Sequence, residues 1–156
     1  MTGQKAFSLS SVLSCENIII KKEGFKDLKS LIDFGISFLY PSISDSVTIN
    51  ALKEKMEKSP SFYTVFDNGL FIPHLKFESL NDFKSVLIIT PKPVKDNNIK
   101  YDIFLTFMLF SPLSKSFFEK HLNILSSVTK AFRDSVPQIV LMKEPSEVCS
   151  YIKSLK

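Results

Sequence analysis

The stretch from Ile103 to Phe110 reads Ile-Phe-Leu-Thr-Phe-Met-Leu-Phe, and no other part of the chain restricts its fold as severely. It is far short of the roughly 20 apolar residues needed to cross a bilayer. A strand with one wet face would alternate apolar and polar side chains, whereas a near-continuous apolar run fits a strand covered on both faces. The segments before and after it must therefore supply two covering layers.

Helical spacing appears over residues 25–40, where Leu28, Leu31, Ile32, Gly35, Ile36 and Leu39 recur at intervals of three and four, and Pro41 stops the pattern. Ser44 or Asp45 offers an N-cap for a second helix over 46–57, broken by Ser59-Pro60-Ser61. Residues 69–74 form a short apolar segment ending in Pro73 and His74, which suits a strand terminus, and 86–90 reads as a further strand bounded by Pro91 and Pro93. After the turn signal Asp96-Asn97-Asn98 and the apolar strand, Ser116-Phe117-Phe118-Glu119 has capping-box spacing. The helix it opens runs to about Arg133, with Phe118, Leu122, Leu125, Val128 and Phe132 on one stripe. A last short strand is expected over 138–142, and Pro145-Ser146-Glu147 opens a terminal helix through Leu155. The 156 residues are one domain's worth of chain, so the expected architecture is a single α/β domain over 1–156, a three-layer α/β/α sandwich around a mixed sheet of about five strands.

Several function classes are excluded cheaply. The net charge of +4 is carried almost wholly by scattered Lys, since Arg133 is the sole Arg, and the aromatics do not interleave with basic residues. A solvated basic surface is expected, with no nucleic-acid groove. The four Gly (Gly3, Gly24, Gly35 and Gly69) are too dispersed for a P-loop or dinucleotide fingerprint. Cys15 and Cys149 have neither paired spacing nor a neighbouring His, so reduced thiols are expected, with no metal and no cofactor. No secretory leader is visible near Met1 and no apolar run spans a membrane, which points to a soluble, cytoplasmic protein.

Any imidazole chemistry must use His74 or His121, the only two His. His74 follows Pro73 at a strand end, so its ring is expected to project at the end of the sheet. His121 lies on the third predicted helix one turn after Phe117, where the ordinary reading is a surface or boundary residue.

Their surroundings resemble a known family. Asn68-Gly69-Leu70-Phe71-Ile72-Pro73-His74 is similar to the "NGIAIPH" segment of bacterial phosphotransferase system enzyme IIA domains of the fructose, mannitol and nitrogen-regulatory type. Tyr101-Asp102-Ile103-Phe104-Leu105 is similar to the same family's "VDLLF" passage, Ser111-Pro112 to the end of that strand, and His121-Leu122-Asn123-Ile124-Leu125 to its "HLELL". The resemblance implies that His74 accepts a phosphoryl group from the small phosphocarrier protein HPr and that His121 assists. A transport-associated IIB domain or a regulated target protein is the implied downstream partner. The chain departs from the family where a Gly-rich loop bearing an Arg normally precedes the first motif: Lys58 stands at the Arg position, and Phe62, Tyr63, Val65 and Phe66 replace small residues. Lys58, Asn68 and Gly69 are the expected supports of the phosphoryl site, although an ammonium lacks the bidentate fork of a guanidinium. The alternative is a non-catalytic interaction module on the same fold, with loop 59–68 as its binding surface.

Overall fold

The computed structural model describes residues 9–43, 47–78 and 80–155. Five strands, β1 (Ile18–Ile20), β2 (Leu70–Phe71), β3 (His74–Phe77), β4 (Lys84–Val94) and β5 (Ile103–Pro112), make one mixed sheet. β1 runs parallel to β4, β4 antiparallel to β5, and β2 and β3 parallel to β5. The apolar run is thus the second strand from one edge of the sheet, with β4 on one side and both β2 and β3 on the other.

Two helical layers cover the sheet, as the doubly apolar strand requires. On one face α1 (Leu28–Leu39) and α2 (Ile49–Glu57) pack Leu31, Ile32, Ile36 and Leu52 against Val86, Ile88, Met108 and Phe110. On the other, α3 (Phe118–Phe132), α4 (Val136–Val140) and α5 (Pro145–Ser154) pack Ile124, Val128, Phe132, Ile139 and Ile152 against Leu87, Ile89, Leu105, Phe107 and Leu109. Successive residues of β4 and β5 fall on opposite sides because side chains alternate along a strand. The expected three-layer α/β/α sandwich is what the chain forms.

Several local expectations are corrected. α1 starts at Leu28 because the Asp27 carboxylate accepts from the Ser30 N–H at 2.8 Å, and α2 starts at Ile49 because Thr48 caps Ala51 at 3.1 Å. The expected caps Ser44 and Asp45 lie outside the described residues. β4 continues through Pro91 and Pro93, with its pairing to β5 interrupted between Ile89 and Val94 because proline has no N–H to give. Residues 138–142 are not a strand: α4 occupies Val136–Val140 with Pro137 in its first turn, where a missing N–H costs no hydrogen bond. The Ile-rich β1 is a strand that the sequence expectations lack. The capping box at Ser116 does not form; the Ser116 hydroxyl pairs with that of Ser114 at 3.0 Å, and a short 3-10 turn over Lys115–Phe117 leads into α3.

Cys15 and Cys149, expected as free thiols, are joined as a disulfide with Cα atoms 5.4 Å apart. Their separation of 134 residues hides the pairing from any spacing rule, but α5 returns to pack on β1 and brings the two ends of the chain together. No helix among the described residues is long and apolar enough to cross a membrane.

Candidate functional site

β2 and β3 are two pieces of one strand. Leu70 pairs with Leu105 and His74 with Leu109, so the offset to β5 is unchanged across Ile72 and Pro73, which leave the ladder. His74 therefore opens β3 instead of ending a strand, and its ring stands over the α3 face of the sheet, not at the sheet's end. The burial alternates along β3: Leu75 and Phe77 enter the α1–α2 core, while His74 and Lys76 are half-buried on the opposite side.

β3 lies at the sheet margin, so its free backbone groups need other partners. The break after α2 supplies them. The His74 N–H donates to the Ser61 Oγ at 3.1 Å, and the Ser59 hydroxyl donates to the His74 carbonyl at 3.3 Å. The two hydroxyl oxygens are themselves 2.8 Å apart. Two serines thus clamp the backbone of His74 without touching its ring.

The ring is oriented by the interruption itself. Nδ1 lies 2.8 Å from the Ile72 carbonyl, and a carbonyl only accepts, so Nδ1 carries the hydrogen. In the neutral ring Nε2 is then the nitrogen with the open lone pair. Asn68 and Gly69 hold the start of this segment: the Asn68 amide donates to the Arg133 carbonyl at 2.8 Å, and its side-chain oxygen accepts from Leu70. Gly69 sits at φ +89°, and a Cβ there would fall 2.7 Å from the Phe104 ring, so both conformation and space demand glycine.

His121 departs most from expectation. It is only 2% exposed, whereas Phe118 and Leu122 of the expected apolar stripe are about half exposed. The buried stripe of α3 is instead His121, Ile124, Val128 and Phe132, turned so that the imidazole enters the core beside β5. There its Nδ1 lies 2.6 Å from the Oγ of Ser111, which is fully buried. Burial, reinforced by the positive charge of Lys76 and by His74, lowers the pKa of His121 from 6.5 to about 4. The ring is neutral at pH 7, and both polar groups are satisfied if the Ser111 hydroxyl donates to Nδ1, which leaves a hydrogen on Nε2. The two imidazoles are neighbours, with ring centroids 5.5 Å apart and planes inclined at 56°.

A cleft of about 340 Å³ adjoins His74, walled by Pro60, Phe66, Ile72, Leu125 and Thr129. Of the bulky residues in loop 59–68, Phe62 is buried in the α1–α2 core, Tyr63 is half exposed, and Phe66 lines this cleft. Lys58 is exposed at the C-terminal end of α2, and its ammonium has no ion-pair or hydrogen-bond partner among the described residues. The structure adds Ser59, Ser61, Lys76 and Ser111 to the expected site. Lys76 was accessible in principle, because a residue two beyond His74 on a strand must share its face. No grouping of His, Cys, Asp and Glu suited to a metal ion occurs among the described residues.

The profile of the family described as phosphoenolpyruvate-dependent sugar phosphotransferase system, EIIA 2, matches residues 11–155. The fold is similar to that of the nitrogen regulatory protein IIA-Ntr of Neisseria meningitidis, at TM-score 0.75 and 18% identity over 92% of this chain and 98% of that one. It is also similar to a cryptic mannitol-specific phosphotransferase enzyme IIA of Escherichia coli, at TM-score 0.68 and 17% identity over 94% and 99% of the two chains. A third similar structure is the enzyme IIA of mannitol in complex with phosphorylated enzyme IIB from Escherichia coli, at TM-score 0.62 and 13% identity over 88% and 94%. No curated protein matches the sequence.

Proposed function

We propose that this chain, which belongs to the EIIA 2 family of the phosphoenolpyruvate-dependent sugar phosphotransferase system, is a phosphocarrier whose His74 takes a phosphoryl group from phospho-HPr. The observation that carries this reading is the Nδ1–H of His74 held by the Ile72 carbonyl, which directs the lone pair of Nε2 outward beside a second, neutral imidazole.

Nε2 attacks phosphorus while the bond from phosphorus to the donor's side chain breaks, its electron pair leaving with the donor. Positive charge develops on the His74 ring as the new N–P bond forms. It is met at Nδ1 by the Ile72 carbonyl, whose hydrogen bond strengthens as its donor becomes cationic. His121 contributes the Nε2–H that Ser111 secures, a neutral donor to the phosphoryl oxygens that itself neither gains nor loses a proton. Asn68 and Gly69 act one step removed, by fixing the strand that presents His74.

The downstream acceptor is a IIB domain or a regulated target protein. The similarity to an enzyme IIA captured with phosphorylated IIB supports the first, and that to a nitrogen regulatory IIA supports the second. The test is intact-mass analysis after incubation with phosphoenolpyruvate, enzyme I and HPr. A single acid-labile phosphoryl group is expected on the wild-type chain and none on His74→Ala. Labelling that persists in the variant refutes the site, and an unlabelled wild type beside a labelled enzyme IIA control refutes phosphoryl transfer.

A further inference from the structure

A phosphoryl group arriving on His74 brings two negative charges into a half-buried site, and positioned cations are the usual means of stabilising them. The neutral imidazole of His121 supplies none. β3 does. Lys76 lies on the same face as His74, two residues along, and is register-paired with Ser111 of β5, whose hydroxyl is bonded to His121. Register partners in a parallel pair point to the same side of the sheet. The base of the Lys76 side chain is therefore fixed beside the two imidazoles by the sheet itself.

The far end of the side chain is placed as well. The ammonium stands 4.5 Å from the centroid of the Phe118 ring, one turn before His121 in α3. No carboxylate pairs with it among the described residues. An aromatic face holds a cation weakly compared with an anion, so the contact keeps the charge at the rim and gives way when an anion appears.

We propose that Lys76, held in reserve on the Phe118 ring, is the residue that binds the phosphoryl oxygens on His74, in place of Lys58. The proposal deepens the phosphocarrier reading and rests on it. Lys58 sits on a helix end with its ammonium in solvent, whereas Lys76 is half-buried and projects from the strand that carries the acceptor. On arrival of the group the ammonium leaves Phe118 for the oxygens, and no proton moves.

The experiment compares wild type with Lys76→Met, Lys76→Arg and Lys58→Met in two assays. The first is the initial rate of phosphoryl addition from phosphoenolpyruvate, enzyme I and HPr; the second is a titration with inorganic phosphate followed by the His74 ring resonances. Lys76→Met is expected to lower the rate and weaken phosphate binding, each by roughly tenfold or more, as loss of a charge-assisted hydrogen bond does. Lys76→Arg is expected to restore most of both, and Lys58→Met to change neither appreciably. A labelled wild type with Lys76→Met labelled equally fast overturns the role of Lys76 and leaves the phosphocarrier reading standing. If the wild type is not labelled, the phosphocarrier reading falls and the titration decides: weaker phosphate binding in Lys76→Met retains the anion site, and equal binding removes it.

Discussion

The two faces of the sheet are built from the same strands and do different work. Toward α1 and α2, β3, β4 and β5 present Leu75, Phe77, Val86, Ile88, Met108 and Phe110, an apolar layer. Toward α3 the same strands present His74, Lys76 and Ser111, met from the helix by His121. Both faces stay anchored because the apolar part of the second, from Leu105 to Leu109, lies next to the polar end. The difference teaches that one strand can serve packing and chemistry at once, since alternation separates the two roles to opposite sides with no change of backbone.

That separation can be broken from either side. Leu31→Ala, in the apolar layer, is expected to cost about 2–5 kcal/mol of stability by loss of burial and a residual cavity. The folded fraction should still accept phosphoryl groups at the wild-type rate; denaturant unfolding and intact-mass kinetics together check both halves, and a slowed folded fraction would show that the faces are coupled.

Ser111→Ala acts on the other face. It is expected to lower the rate roughly tenfold, because an unheld imidazole exchanges its hydrogen between both nitrogens. Nitrogen NMR of the His121 ring distinguishes this from a packing defect: Nε2–H should dominate in wild type and lose its dominance in the variant.

The smallest effect is on acid stability. His121 binds its proton near pH 4 when folded and near 6.5 when free, so between those values the unfolded chain holds more protons and stability rises with pH. The contribution is complete above about pH 6.5 and is lost as pH falls toward about 4. The groups facing the ring are Ser111 from β5 and His74 and Lys76 from β3. His121→Asn should flatten the slope of melting temperature against pH across this window, and an unchanged slope would place the acid sensitivity elsewhere.

The sandwich was legible because its evidence is long-range in pattern and local in position: a doubly apolar strand, amphipathic helices and punctuating prolines. Short elements were not. Ile18–Ile20 is too brief to show a period, and Val136-Pro137-Gln138-Ile139-Val140 has the composition of a strand while packing as one helical turn and a half. Within the site, the two His and the Asn68-Gly69 pair stood out through their motifs. The burial of His121 did not, because the apolar residues of α3 outline two overlapping stripes, and the one containing the imidazole is settled by the packing of Ile124 and by the hydroxyl on β5. Register, clamp and disulfide are facts about distant segments meeting, which no window along the chain contains.

The two residues that leave the ladder at Ile72 and Pro73 carry a final consequence, one of parity. Because the offset to β5 is the same before and after them, the gap behaves as an even-numbered spacer that preserves which side each later residue faces. Removing or adding one residue there, so that β3 shifts by one place along β5, would send Leu75 and Phe77 to the α3 side and carry His74 and Lys76 into the α1–α2 core. The chemistry of that spacer can therefore vary, but its length cannot change by one without also moving His74 to the other side of the sheet.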